Sequence, residues 1–228
     1  TGFAGAKPLP RAMLAYADHH NLELATHASI EAQVAAIADD IAYNNHDIDD
    51  GLRAGFFTLA DLEELPLLGD IIIEVRAQHP TLSTHRQGHE IIRRLINRMV
   101  ADVLTHTRQR IAQFHIASAE DVRGLGQQLV QFSGDMELAH RSIKAFLFKN
   151  MYRHFKVNRM TSKARRVVGE LFAFFLAEPQ CLPTMWYAQT DGASTQRTAE
   201  VIADFIAGMT DRFALDEHAR IFDMRERT

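Results

Sequence analysis

The chain has 228 residues, with 25 Lys and Arg against 29 Asp and Glu and a formal net charge of −4. That balance excludes a globally basic nucleic-acid binder, although it leaves local basic patches open. Hydrophobic residues make up 46% and charged residues 24%, which excludes wholesale disorder.

The single cysteine, Cys181, excludes an internal disulfide and a Cys-based zinc site, and it fits a reducing, cytoplasmic setting. No stretch approaches the roughly 20 apolar residues that span a bilayer, so no membrane partner is expected. The densest apolar run, 171–177, lies between Glu170 and Glu178. The opening residues show no charged-then-apolar signal pattern and no initiator Met, so a processed chain or a piece of a longer one is expected.

The dominant period is helical. Twelve Gly and six Pro sit at breaks rather than inside apolar runs. Pro8 and Pro10 precede a short amphipathic segment, 12–20. A long helix is predicted over 29–53, closed by Gly51 and Gly55. Thr58 and Asp61 have capping-box spacing before a short helix that Pro66 stops. A helix over 69–78 ends at His79 and Pro80, and a long one covers 85–114. A short turn is expected over 118–129 and a helix over 135–156. Thr161 is read as the N-cap of a helix running to 177. Pro179 and Pro183 make a loop carrying Trp186 and Tyr187. A C-terminal helix starts at Ser194 or Thr195 and runs to 213, followed by a last short one. With no alternating strands, repeats or long linker, the reading is all-α, as one all-helical region over 1–228.

The segment 29–53 is the most informative. Val34, Ile37, Ile41, Ile48 and Leu52 form one apolar stripe. Asp39, Tyr43 and Asp47 are each four apart, which stacks them on one face, and His46 and Asp50 lie beside them. A solvated polar face is the bland reading. Against it, Asp is a poor helix former, and like charges on neighbouring turns repel. A helix that accepts Asp39, Asp40, Asp47, Asp49 and Asp50 needs a cation or donors to satisfy them. A carboxylate on a rigid helix suits a hard metal ion, and an aromatic one turn away offers a flat wall for a sugar or base. One carboxylate alone is not a metal site.

The run Ala38-Asp39-Asp40-Ile41-Ala42-Tyr43-Asn44-Asn45-His46-Asp47-Ile48-Asp49-Asp50-Gly51, with Glu31-Ala32-Gln33 before it, resembles the second signature of the bacterial deoxyguanosinetriphosphate triphosphohydrolases. These are HD-domain phosphohydrolases. The run Ala203-Asp204-Phe205-Ile206-Ala207-Gly208-Met209-Thr210-Asp211-Arg212-Phe213-Ala214 is similar to their C-terminal signature, and Phe146-Leu147 with Tyr152-Arg153-His154 is a weaker third match.

The resemblance implies a multi-helix HD-type phosphohydrolase fold and a reaction that cleaves a dNTP to the deoxynucleoside and triphosphate. It implies that Asp39 is the last ligand of a divalent metal, Mg or Mn, otherwise held by a His and a His-Asp pair. It further implies that Tyr43 packs on the deoxyribose and excludes a 2′-hydroxyl, and that Asp47 accepts the 3′-hydroxyl. The His and His-Asp ligands are expected well before Asp39. Only His19, His20 and His27 precede it, and the one His-Asp dipeptide is His46-Asp47 itself. The chain therefore reads as the C-terminal part of a longer enzyme, with an incomplete metal site, no complete catalytic set of its own and no activity alone.

Two other features carry charge. Arg86, Arg93, Arg94, Arg98, Arg108 and Arg110 decorate the long helix. They form either a solvated face or, for one or two of them, contacts to a triphosphate. Between 138 and 169 stand Arg141, Lys144, Lys149, Arg153, Lys156, Arg159, Lys163, Arg165 and Arg166 with no Asp or Glu. The interleaved Phe146, Phe148, Tyr152 and Phe155 suit a core better than base stacking. The block itself suits single-stranded DNA, an effector nucleotide or an acidic patch on a neighbouring subunit. Twelve histidines and Cys181 are read mainly as surface or packing residues.

The expected protein is thus part of a dNTP triphosphohydrolase acting as a homo-oligomer. The alternatives are another HD-type nucleotide phosphohydrolase, or an all-helical regulatory or nucleic-acid-binding module. The last lacks a reading-head motif.

Overall fold

The computed structural model describes residues 9–223; the opening residues, Pro8 among them, and 224–228 lie outside the described residues. Among the described residues there are eleven α-helices, one π turn, one 3-10 turn and no strand, which bears out the all-α reading. No helix is long and apolar enough to cross a membrane. The chain forms two compact units, one ending at Tyr152 and the other starting at Arg153.

The first unit holds α1 (Arg11–Ala17), α2 (Ile30–Arg53), α3 (Leu59–Leu62), α4 (Leu68–Gln78), α5 (Thr84–Gln113), α6 (Ala119–Gly124) and α7 (Gly134–Leu147), and closes with a π turn, Phe148–Tyr152. Helix α5 packs on both α2 and α4, and α2 also meets α7. Their shared core holds Ile41 and Ile48 from α2, Ile71 and Ile72 from α4, Leu95 and Met99 from α5, and Ile143 and Leu147 from α7. Each such fully buried aliphatic side chain contributes roughly 1.5–3 kcal/mol. The second unit holds α8 (Phe155–Ala177), a 3-10 turn (Pro179–Cys181), α9 (Thr184–Tyr187), α10 (Gln196–Ala207) and α11 (Asp211–Phe222). Its core is Val167, Leu171, Phe175, Leu182, Ile202 and Phe205.

Three boundaries differ from the sequence reading. The helix expected over 135–156 ends at Leu147 and gives way to the π turn, where Asn150 Nδ2 donates to the Phe146 carbonyl at 3.0 Å. No Gly or Pro punctuates this stretch, so nothing local marks the stop. Helix α8 then starts at Phe155, capped by His154, whose Nδ1 accepts from the Lys156 N–H at 3.4 Å. Thr161 lies inside α8 and caps nothing. The break between the two C-terminal helices also falls earlier than expected, at 208–210 instead of after 213. Gly208 closes α10, and the Thr210 hydroxyl accepts from the Phe213 N–H at 3.2 Å to start α11.

Candidate functional site

Helix α2 forms for local reasons. Ser29 is its N-cap, with the hydroxyl accepting from the Ala32 N–H at 3.4 Å, and Glu31 sits in the positive first turn. Gly51 lets α2 end tightly, because a Cβ there would stand 2.2 Å from the Phe57 ring. The chain then turns at Gly55 with φ +66°, a conformation that favours glycine.

The apolar stripe holds with one change. Ile41 and Ile48 are buried and Ile37 and Leu52 half-buried, but Val34 faces solvent. Gln33 is buried in its stead. Its Oε1 accepts from the Leu129 and Val130 N–H groups at 2.7 and 3.0 Å, and its Nε2 donates to the Ala28 carbonyl at 2.8 Å. This amide pins the loop before α7 to the start of α2.

The acidic face divides by partner. Asp40 pairs with Lys144 of α7 at 3.1 Å, and Asp49 pairs with Arg53 at 2.8 Å. Asp47, half-buried, accepts a hydrogen bond from the Tyr152 hydroxyl of the π turn. Burial, first, and then the bond to Asp47 hold the Tyr152 phenol above its ordinary value of 10, with Tyr43 adding to the effect. Tyr43, Asp47 and Tyr152 therefore form one cluster. Tyr43 keeps 60% of its surface exposed and so presents a free aromatic face. Asp39, one turn earlier, is exposed, and among the described residues its carboxylate has no hydrogen-bond or ion-pair partner. The structure thus brings Tyr43 and Asp47 together, and adds Tyr152, which the sequence reading placed in the core.

On the far side of Tyr43, α2 is joined to α7 by a buried polar contact. Asn44 Nδ2 lies 2.7 Å from His140 Nε2 and also donates to the Asp40 carbonyl at 2.7 Å. A cavity of about 370 Å³ opens beside it, lined by Asp40, Lys144, Glu137, Arg141, His140 and Phe132 among others.

Three of the six arginines of α5, Arg93, Arg94 and Arg98, are held by carboxylates. Glu90 takes Arg93 and Arg94, first through hydrogen bonds to Arg93, and its carboxyl is held down at about 2. Arg98 reaches Glu74 at 2.5 Å, and Arg110 donates to the carbonyls of Gln128 and Leu129. In the basic block, Arg141 pairs with Glu137 at 2.7 Å and Lys144 with Asp40, whereas Lys156, Lys163, Arg165 and Arg166 of α8 are exposed.

Asp39 is exposed and, among the described residues, its carboxylate is without a hydrogen-bond or ion-pair partner, as is that of Asp50. Among those residues no group of three or more His, Cys, Asp or Glu stands close enough to hold an ion. His85 and His89, four apart on α5, have rings 4.4 Å apart, and His89 Nδ1 lies 4.0 Å from Asp49.

Residues 130–220 match the model of the phosphohydrolase-associated domain. This places α7, α8 and α10 within a module that accompanies phosphohydrolases. Over nearly its whole length the chain is similar to proteins named deoxyguanosinetriphosphate triphosphohydrolase-like. It is 52% identical over 218 residues to the one from Parvibaculum lavamentivorans, 53% over 220 to that of Azorhizobium caulinodans, and 49% over 218 to that of Caulobacter vibrioides. Each match covers 96% of this chain and 55% of the relative, so the chain spans about half the length of the curated relatives it matches. The chain is homologous to that part of the deoxyguanosinetriphosphate triphosphohydrolase-like proteins, as its two motifs led us to expect.

Proposed function

We propose that this chain is part of a metal-dependent dNTP triphosphohydrolase that cleaves dGTP or other dNTPs to the deoxynucleoside and triphosphate. The observation that carries the reading is the cluster of Tyr43, Asp47 and Tyr152 one turn from the unpaired Asp39. The names of the relatives support it.

Each residue has a separable task. Tyr43 turns its exposed ring to the sugar, where its bulk leaves no room for a 2′-hydroxyl. Tyr152 occupies one oxygen of Asp47 and fixes the carboxylate, so the other oxygen is left to accept the 3′-hydroxyl. Asp39 offers one carboxylate to a divalent ion, Mg or Mn, whose remaining ligands come from residues other than those described. Such an ion, when bound, supplies Lewis-acid charge beside the reacting phosphate. The basic, partly apolar first half of α8, with Phe155 and Met160 exposed, supports assembly with further copies of the chain.

The test is turnover of the four dNTPs and GTP by the full-length protein with Mg or Mn, with products separated by ion-exchange chromatography. Deoxynucleoside and intact triphosphate are expected, with GTP poorly used, and the 228-residue chain alone should release neither. Pyrophosphate or monophosphate as the product would instead favour another HD-type nucleotide phosphohydrolase.

A further inference from the structure

His140 is buried, with 4% of its surface exposed, yet it sits in the middle of a helix whose neighbours are charged. Among the described residues its hydrogen-bond partner is Asn44, the residue after Tyr43. The orientation of that amide is not free. Asn44 Nδ2 also donates to the carbonyl of Asp40, which can only accept. Turning the amide over would place Oδ1 against that carbonyl. The nitrogen therefore faces His140, and Nε2 of the ring must accept. An imidazole that accepts at Nε2 is neutral and carries its proton on Nδ1.

We propose that His140 is a positioning residue for the sugar-facing turn of α2, holding α7 to Asn44 as a neutral acceptor and releasing it when the ring is protonated. This inference rests on the function proposed above.

Polar side-chain links that join α2 to α7 and the π turn that follows it run from Lys144 to Asp40, His140 to Asn44, and Tyr152 to Asp47. The first is exposed and so contributes little to rigidity. The second is the buried one, and it lies one residue from the aromatic that faces the sugar. On protonation Nε2 gains a hydrogen aimed at an amide nitrogen, and the bond becomes a repulsion. An amide flip would repair it only by setting Oδ1 against the Asp40 carbonyl.

The surroundings favour the neutral ring. Burial lowers the pKa most, and Lys144 on the next turn of α7 adds to that. Asp40 from α2 and Glu137 from α7 oppose it without reversing the direction. Arg141 also lines the cavity, paired to Glu137, and the Phe132 ring lies 5.0 Å from the imidazole. Protonation thus occurs below the ordinary value of 6.5, and His140 lines the cavity that opens beside the ring.

The experiment pairs histidine-selective NMR of the wild-type protein with kinetics of H140Q and H140F. His140 is expected as the Nδ1–H tautomer, titrating below 6.5, with the Asn44 side-chain amide shifting over the same pH range. In the full-length enzyme, KM for dGTP should rise as pH falls through that range, with kcat less affected. H140Q keeps an acceptor for Asn44 and has no proton to gain, so its KM should stay near wild type at pH 7.5 and lose the acid limb. H140F offers no acceptor and should raise KM about tenfold at all pH values, the loss of one hydrogen bond. An Nε2–H tautomer, titration at or above 6.5, or an acid limb retained in H140Q overturns the proposal. If no dNTP is cleaved, the proposed function fails, while the NMR titration of His140 and Asn44 still decides whether the device exists.

Discussion

The Tyr152 hydroxyl donates to the Asp47 carboxylate, joining residues 105 positions apart in sequence within one compact unit. The bond ties the π turn after α7 to the face of α2 that carries Tyr43. Among the described residues Asp47 is thereby held by a neutral donor and not by a cation, so its negative charge is not neutralised.

Removing that donor should loosen Asp47 without removing it. In the full-length enzyme, Tyr152→Phe is expected to raise KM for dNTPs several-fold and to leave the Tyr43-dependent choice of sugar largely intact. The hydrogen bond to a charged acceptor bounds the effect at roughly 1.5–3 kcal/mol, and partial exposure of the pair puts it at the lower end. Steady-state kinetics with dGTP measures it. A KM equal to wild type would mean that Tyr152 supports only the fold.

Sugar selection should separate from affinity at the neighbouring position. Tyr43→Ala removes the exposed wall and is expected to narrow the preference for dGTP over GTP, whereas Asp47→Ala weakens binding by roughly 1.5–3 kcal/mol, the range for a hydrogen bond to a charged acceptor. Competition assays with dGTP and GTP distinguish the two. Unchanged selectivity in Tyr43→Ala would remove Tyr43 from the sugar site.

Gln33 should matter to stability and not to chemistry. Gln33→Leu leaves the Leu129 and Val130 N–H groups buried without an acceptor, and a buried unsatisfied donor costs roughly 1–3 kcal/mol. Chemical denaturation is expected to show a lower midpoint with an unchanged slope. A midpoint within error of wild type would show that the loop finds other acceptors.

The reach of the sequence is clearest along α2. Its period set the phase of Ile41 and Ile48 inside and Asp39 and Tyr43 outside, because a helical repeat over 24 residues is a strong local signal. Val34 and Gln33 escaped that logic. A valine is apolar wherever it points, and the acceptor role of Gln33 depends on a loop 96 residues away. Tyr152 does pack against the core, as expected, but its hydroxyl bond to Asp47 is set by the tertiary fold alone. The π turn and the His154 cap lack Gly or Pro, so the helix break before α8 had no punctuation to announce it.

Asp39 and Asp40 give the sharpest test of the site. Adjacent on α2, they point about 100° apart, from the 3.6-residue turn. Asp40 is engaged by Lys144 at 3.1 Å, while Asp39 shares the face of Tyr43 and Asp47 and is unpaired among the described residues. A hard cation needs a free carboxylate, so the two should respond differently to loss of charge. In the full-length protein, Asp39→Asn keeps the side-chain shape and the buried residues of α2, and should abolish turnover and weaken Mn binding with the thermal midpoint little changed. Asp40→Asn should lose only an exposed ion pair, on the order of 0–1 kcal/mol, and keep most activity. Metal titration and turnover of both variants side by side decide it. If Asp40→Asn were the inactive variant and Asp39→Asn nearly normal, the metal-facing side of α2 would lie one residue further on, and the assignments of Tyr43 and Asp47 to the sugar would lose their common face.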